Sequence, residues 1–250
     1  MLELDNASAV RGSSMIWSEG TFTVPSASIV GVIGPNGSGK TTLLMMILGL
    51  LRTETGSITV LGREPERGDP RIGYVPQNYA SIAGDSIRAR DLVLLGLTGS
   101  RYGVGRTSRV EHARVDEVLD EVGATEFAGR RMSKLSGGQQ QRIAIAQAIV
   151  GQQQLLLLDE PLANLDVRNQ QEIVALLKRI NEQRGIGILL VVHALNPLLA
   201  VLNGAIYLLD GHPHYDSVDE IVDEDLLTHL YGTQVRVVRT AQGDLFTRNA

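Results

Sequence analysis

The chain has 250 residues, of which 43% are hydrophobic and 20% are charged, and its net charge is −5. This composition can bury a substantial core, which argues against disorder. The acidic balance argues against a protein that coats nucleic acid, because phosphate neutralisation requires a basic face. The absence of cysteine excludes disulfides and thiolate metal sites. The sequence has no export signal and no apolar run of roughly 18 residues, so we expect neither secretion nor a membrane span.

The predicted elements begin with alternating strands and continue as an α/β pattern. Leu2–Leu4 and Phe22–Val24 alternate between apolar and polar residues, which predicts an antiparallel N-terminal part. Helical periodicity separates several of the later apolar runs, as in Val167–Arg184, and this indicates a parallel sheet whose strand ends carry the chemistry. The predicted core strands are Ile29–Ile33, Ile72–Val75, Leu155–Leu158, Ile188–Val192 and Ala205–Leu209.

A helical subdomain is predicted at about residues 78–136, where the strand signals disappear. Asp91–Leu97 and Val110–Val122 have helical patterns, and the glycines at 99–105 would join them. We expect this subdomain to be inserted into the α/β core of a single domain that comprises residues 1–250.

A C-terminal extension is predicted at about residues 212–250, after the last core strand. The acidic stretch Val218–Tyr231 has a helical pattern, and Val235–Arg239 with Asp244–Thr247 predicts a hairpin. Histidine is the commonest metal ligand, so a metal sensor is one interpretation of the tail and solvated histidines are the other. The histidines concerned are His212, His214 and His229.

The first segment that carries chemistry fits the P-loop pattern, with a strand before it and a helical pattern at Thr42–Leu48 after it. Its residues are Gly34, Pro35, Asn36, Gly37, Ser38, Gly39, Lys40 and Thr41. The backbone N–H groups of this turn would face phosphates, Lys40 would reach the β and γ oxygens, and the Thr41 hydroxyl can ligate Mg²⁺. The context favours a nucleotide site over a glycine-rich turn with a solvated lysine.

The second segment is an apolar run that ends in two carboxylates, Asp159 and Glu160. A buried strand delivers charged groups only where it emerges from the sheet, so both carboxylates are predicted at a strand end. There Asp159 can hold the Mg²⁺ shell, and Glu160 can face the water that attacks the γ-phosphate. An ordinary acidic strand end is the alternative, which the upstream P-loop makes weaker.

The third segment, Leu135–Gln139, opens a helical pattern with apolar periodicity at Ile143, Ile145 and Ile149. Serine followed by two glycines at a helix start offers a hydroxyl, exposed backbone donors and the positive end of the helix dipole. These groups predict a second anion site. A serine cap after a glycine turn is an alternative that the residues alone leave open.

Taken whole, from about Leu2 to Leu209, the sequence resembles the ATP-binding cassette nucleotide-binding domains, whose LSGGQ signature is unaltered at Leu135–Gln139. The resemblance implies an α/β fold: a P-loop NTPase core with an antiparallel N-terminal β subdomain and an inserted α-helical subdomain. It also implies an ATPase that uses ATP and Mg²⁺.

The resemblance implies further roles at matching positions. Gln77, in Tyr-Val-Pro-Gln, matches the glutamine that approaches Mg²⁺ and the attacking water, and His193 matches the histidine that hydrogen-bonds the γ-phosphate. Asp166 matches the loop that crosses to the partner subunit. Ser136 and Gly138 of one subunit would complete the site built on the P-loop of another. The implied catalytic residues are Lys40, Gln77, Glu160 and His193; the metal ligands are Thr41, Gln77 and Asp159; and nucleotide binding adds Gly34–Thr42, Ser136, Gly137, Gly138, Gln139, Asp166 and Arg11.

Two positions depart from the family pattern. Arg11 stands where the family generally has an aromatic residue that stacks on adenine. A guanidinium can also stack on a base, so we expect Arg11, or less favourably Trp17, to take that place, with a solvated Arg11 as the alternative. Ala194 stands where an aspartate usually follows the histidine, and this change is expected to alter coupling rather than to abolish hydrolysis.

One complete cassette, without a coiled coil, a zinc module or a fused membrane domain, resembles the ATPase subunits of importers. Such a subunit implies a second cassette subunit as a homodimer, an integral membrane permease and an external solute-binding protein, and no nucleic acid. The expected location is the cytoplasm, on the inner face of the cell membrane. Gln77 and Arg88–Arg101 would form the surface that couples the subunit to its permease.

The cargo is suggested only by phrase-level similarity. Four segments resemble ATPases of manganese, zinc or iron importers, namely Gln139–Ala148, Leu155–Asp166, His193–Leu199 and Leu230–Val235. Other small-solute importers, two-component exporters and non-transport cassette ATPases are the alternatives. A regulatory module that binds ATP without hydrolysing it is a further alternative, against which Glu160 argues.

Overall fold

The computed structural model describes residues 1–79, 84, 86–99, 107–239 and 245–249. These residues form two compact units, one from Met1–Asp69 with Leu177–Ala250 and the other from Pro70–Leu176. Three predicted parts lie outside the described residues: residues 100–105 of the glycine joint, residues 100–101 of the coupling surface, and Asp244 of the hairpin.

The N-terminal part of the first unit is an antiparallel sheet. Strand β1 (Leu2–Arg11) lies between β2 (Ser14–Val24) and β4 (Ser57–Val60). Leu2 pairs with Val24 and Leu4 pairs with Phe22, and the leucines are buried while the polar residues that alternate with them are exposed. The two short strands predicted from the alternation are therefore the first part of β1 and the last part of β2, which are both much longer.

The second sheet of this unit is mainly parallel. Strand β3 (Ile29–Ile33) lies between β7 (Gly187–Val191) and β8 (Gly204–Leu209), and β9 (His212–Ser217) pairs antiparallel with β8. Every residue of β3 and β7 is buried, as expected for a strand covered on both faces. Because β3 and β7 are parallel, the segments that follow them leave the same edge of the sheet.

Short elements complete the first unit. Helix α1 (Lys40–Ile47) follows β3. After β9 come α6 (Val218–Ile221) and α7 (Glu224–Tyr231), and then an antiparallel hairpin. The strands of that hairpin are β10 (Val235–Arg239) and β11 (Leu245–Asn249).

The second unit contains a parallel strand pair and most of the helices. Strand β5 (Ile72–Val75) pairs with β6 (Leu155–Asp159). The long helix α5 (Val167–Arg184) begins in this unit and ends in the first. The other helices are α2 (Ala89–Thr98), α3 (Arg109–Glu121) and α4 (Gly137–Ile149), with 3₁₀ turns at Thr125–Phe127 and Met132–Lys134.

The predicted α/β fold with an antiparallel N-terminal sheet is confirmed, and the five core strands predicted from apolar runs are present within one residue at each end. Two strands were not predicted, Ser57–Val60 and His212–Ser217. Over the described parts of the chain, no helix is both long enough and apolar enough to cross a membrane.

Candidate functional site

The P-loop connects β3 to α1 in the first unit. Gly34, Gly37 and Gly39 all have positive φ, which lets the turn fold back on itself. Lys40 is only 7% exposed, and its Nζ donates hydrogen bonds to the carbonyl oxygens of Gly34 and Pro35 at 2.7 and 2.8 Å. The loop therefore holds the ammonium group of a buried lysine against two of its backbone carbonyl groups.

Two features of this turn fit a bound phosphate group. The Ser38 Oγ is buried and has no hydrogen-bond partner among the described residues, although a buried hydroxyl normally has one. Around Gly37 the space is open, because a Cβ built there would meet no heavy atom within 4 Å. Lys40, the orphaned hydroxyl and the open turn form a cradle with the charge and donors that phosphate oxygens require.

Gly39 is required because the β1–β2 hairpin packs directly beneath it. A Cβ on Gly39 would lie 2.8 Å from the Trp17 Cδ1, closer than real side chains approach. Trp17 is 1% exposed, so neither face of its indole is open to a base. Arg11 is exposed where β1 ends, at the turn of the same hairpin. The structure therefore removes Trp17 as the adenine-stacking group and leaves Arg11 as the candidate.

His193 lies at the same sheet edge as the P-loop. Val191 of β7 is in register with Val32 of β3, and the Val192 N–H donates to the Val32 carbonyl oxygen at 3.1 Å. The P-loop and His193 begin within two residues of these strand ends, and His193 is exposed. The first unit thus brings His193, Lys40 and the β1–β2 hairpin to one end of its sheet.

Asp159, Glu160 and Gln77 come together at the strand ends of the second unit. Asp159 is the last residue of β6 and is 8% exposed. Burial, and then the charge of Asp159, raise the pKa of Tyr74 on the neighbouring strand. Glu160 follows with a half-buried side chain, and the Gln77 Nε2 donates to the Glu160 Oε2 at 2.6 Å. The amide therefore fixes the carboxylate predicted to act as the base.

The signature residues form the start of α4. The Ser136 Oγ accepts from the Gln139 N–H at 3.3 Å, and the Gln139 Oε1 accepts from the Ser136 N–H at 3.0 Å, which is a capping box. Ser136 and Gly137 are exposed and Gly138 is buried. The serine cap is therefore real, and it leaves the exposed helix start as the candidate second anion site.

Asp166 caps α5. One of its carboxylate oxygens accepts from the Asn169 N–H at 2.8 Å, and the other accepts from the Asn169 Nδ2 at 2.7 Å. These hydrogen bonds lower the pKa of Asp166. The Gln170 Nε2 donates to the carbonyl oxygens of Leu162 and Leu165 at 3.2 Å each, which holds the loop before Asp166. Sequence reasoning missed Asn169 and Gln170, because their roles depend on contacts that no motif records.

The tail histidines do not form a metal centre in the structure. Among the described residues, no group of three or more His, Cys, Asp or Glu side chains is arranged to hold a metal ion. The His229 Nε2 lies 3.3 Å from the Asp210 Oδ1, and the His212 Nδ1 lies 3.1 Å from the Ser18 carbonyl oxygen. The His214 ring stacks on Tyr207. The metal-sensor interpretation is therefore not supported.

The sequence is similar to a known protein family and to several of its members. The family model described as ABC transporter matches residues 18–163, more than half of the chain. The zinc transport system ATP-binding protein TroB of Treponema pallidum is 40% identical over 75% of this chain and 70% of that protein. The manganese transport system ATP-binding protein MntB of Bacillus subtilis is 36% identical over 78% and 77%. The phosphonates import ATP-binding protein PhnC of Stutzerimonas stutzeri is 35% identical over 86% and 83%.

Two solved structures extend the likeness. An inward-facing transporter assigned to the metal-chelate ABC type has a TM-score of 0.86 at 26% identity, over 100% of this chain and 96% of that one. A dimeric ATP-binding cassette in a post-hydrolysis state, bound to ADP and Pi, has a TM-score of 0.72 at 27% identity, over 87% and 99%. The chain therefore belongs to the ABC transporter family, as an ATP-hydrolysing subunit that works with a membrane permease.

Proposed function

We propose that the chain energises the import of a divalent metal ion or a metal chelate through a separate permease. The observation that carries this proposal is the likeness to the metal-chelate type transporter over the full length of the chain. The zinc and manganese transport names of TroB and MntB support the same cargo class. Phosphonate import is the second candidate, because PhnC matches over a larger share of this chain than TroB.

ATP binds at the P-loop in this proposal. The backbone N–H groups of Gly34–Gly39, except at Pro35, and those of the start of α1, up to Thr42, surround the phosphates. The Ser38 hydroxyl gains the partner that it lacks among the described residues. The Lys40 ammonium exchanges its two carbonyl contacts for phosphate oxygens.

Arg11 stacks on the adenine. Arg11→Ala is therefore expected to weaken ATP binding, and an unchanged dissociation constant would contradict the stacking role.

The donor set fits Mg²⁺, which prefers oxygen ligands. Thr41 is exposed at the start of α1 and carries a hydroxyl, Asp159 carries a carboxylate at the end of β6, and Gln77 carries an amide oxygen. These three residues would hold the ion. When bound, Mg²⁺ neutralises the negative charge that develops on the phosphate oxygens.

Glu160 is the general base of the proposed reaction. It accepts a proton from the water whose oxygen forms the new bond to the γ-phosphorus, while the bond from that phosphorus to the β-phosphate oxygen breaks. Gln77 holds the Glu160 carboxylate in place through the 2.6 Å hydrogen bond. His193 donates to the γ-phosphate. Because Ala194 replaces the aspartate that usually follows this histidine in the family, His193 lacks a polar neighbour, but no group that acts in this step is lost.

Two copies of the chain are proposed to share their sites. The start of α4, Ser136–Gln139, is exposed at Ser136 and Gly137 and offers a hydroxyl and backbone donors to the ATP bound by another copy. Asp166 crosses towards that copy. A homodimer of this kind would sit on the inner face of the membrane, bound to its permease. A solute-binding protein would deliver the cargo on the other side.

Uptake assays test the cargo. Cells that lack the chain would be supplied with the wild type, with Lys40→Ala, or with the control Lys178→Ala, which changes an exposed lysine on α5. Uptake of radioactive zinc or manganese should require Lys40 and tolerate loss of Lys178. Metal uptake that is equal in all three strains, with phosphonate uptake lost only in Lys40→Ala, would replace the metal cargo with a phosphonate.

A further inference from the structure

Asn169 occupies the first turn of α5 and contacts two of the predicted functional segments. Its backbone N–H and its side-chain amide donate to the two carboxylate oxygens of Asp166, at 2.8 and 2.7 Å. The residue is half-buried. An asparagine whose main chain and side chain both bind one carboxylate fixes the position of that carboxylate with two bonds rather than one.

The rest of the Asn169 side chain packs against the signature. A Cβ built on Gly138 would lie 2.9 Å from the Asn169 Cγ and would also overlap its Oδ1. A Cβ on Gly137 would lie 3.4 Å from the Leu165 Cδ2. The two signature glycines therefore allow α4 to approach the start of α5 closely, and Asn169 lies between Gly138 and Asp166.

A second contact lies about one helical turn further along. The Arg142 Nη2 of α4 is 3.0 Å from the Glu172 Oε2 of α5, and the Arg142 Nη1 donates to the Val122 carbonyl oxygen at 2.8 Å. Asn169 and Glu172 are three residues apart and therefore share a face of α5. Contacts at Gly138 and at Arg142 together fix the position of α4 along α5 and its rotation about its own axis.

We propose that Asn169 is a positioning residue that makes the signature turn (Ser136–Gln139) and the Asp166 loop (Leu162–Asp166) move as one body. The proposal rests on the shared-site function, in which both segments act on the neighbouring copy. When the signature turn closes on the ATP of that copy, Asn169 carries Asp166 with it. Without the contact between Asn169 and Gly138, the Asp166 loop would instead reach the neighbouring copy independently of the signature turn.

Asn169→Asp tests this role with almost no change of shape. The new carboxylate loses the donor to Asp166 and repels it, while an acidic residue in the first turn of a helix favours folding. We expect kcat for ATP hydrolysis by the purified full chain to fall about tenfold, since small misplacements of acting groups have effects of this size or larger. The ATP dissociation constant should stay at the wild-type value, and the melting temperature should change little, because the favourable charge at the helix start opposes the lost hydrogen bond to Asp166. Gln171→Glu is the matched control, since it adds the same charge to an exposed position on the opposite side of α5.

A double-mutant cycle tests the contact with the signature. Gly138→Ala should lower kcat in the wild-type chain, because the new methyl group overlaps the Asn169 amide. The same substitution in an Asn169→Ala background should lower kcat by a factor at least about threefold smaller, because the overlapping amide is gone. A kcat for Asn169→Asp within twofold of wild type, or additive effects in the cycle, would overturn the role of Asn169. Site sharing is tested separately, by mixing chains altered at Ser136 with chains altered at Lys40. A failure of the Asn169 role can therefore be distinguished from a failure of the shared-site function.

Discussion

Glu160 has a left-handed backbone conformation, with φ of 52°, directly after the buried strand β6. For a residue with a side chain this conformation costs on the order of 1 kcal/mol, and strain of this kind persists where the surrounding structure holds it. The sharp turn lets two consecutive carboxylates differ: Asp159 is buried in the strand end, while Glu160 turns to Gln77. One short segment thus separates the proposed metal ligand, Asp159, from the proposed base, Glu160.

Glu160→Gln is expected to reduce ATP hydrolysis by about 10²–10⁴-fold, the contribution typical of a general base. Glutamine keeps the size of the side chain and an oxygen that can accept from Gln77, so ATP binding should be retained. Phosphate release and nucleotide binding by the purified chain measure the two effects. Glu182→Gln, on the exposed face of α5, is the control and should hydrolyse ATP normally. Substantial hydrolysis by Glu160→Gln would assign the base to another group.

At the scale of elements, the accuracy with which a strand was predicted from the sequence depends on how deeply the strand is buried. Fully buried strands such as β3 and β6 are continuous apolar runs, so they were predicted almost to the residue. Strand β9 was missed because its sequence, His-Pro-His-Tyr-Asp-Ser, is polar and contains a proline, as edge strands tolerate. The close packing of Asn169 on Gly138 was also unpredictable, because two helices must be placed before the contact exists.

The Asp166 cap on α5 gives a pH-dependent stability. Hydrogen bonds from Asn169 lower the pKa of Asp166, so the cap stabilises the folded chain above the ordinary pKa of about 3.9 and stops doing so as the pH falls through the lower, folded-state pKa. Asp166→Ala should therefore melt below wild type at pH ~6, and the gap should shrink towards pH ~3.

The control for this prediction is Asp166→Asn, which caps helices about as well as aspartate but does not titrate. Its melting temperature should be close to that of wild type at neutral pH and should exceed it once the aspartate is protonated. A gap between wild type and Asp166→Ala that stays constant from pH ~6 to pH ~3 would show that the carboxylate charge contributes nothing to the cap.

At the scale of the whole molecule, each chain carries one P-loop and one signature. Within the first unit the P-loop, His193 and the β1–β2 hairpin share one end of a sheet, and within the second unit Gln77, Asp159 and Glu160 share another. Ser136 and Gly137 of the signature turn and Asp166 are exposed on the second unit, so they are open to another molecule. These exposed groups are the reason to expect that turnover needs two chains.

Mixing two inactive variants tests this expectation. Ser136→Arg blocks the signature and leaves the P-loop, whereas Lys40→Ala disables the P-loop and leaves the signature. If two chains share sites, a mixed dimer contains one intact site and one doubly defective site. With free exchange half of the dimers are mixed, so an equal mixture should regain roughly a quarter of wild-type phosphate release. Labelled subunits would verify exchange, and a mixture no more active than its components would then place each catalytic site within a single chain.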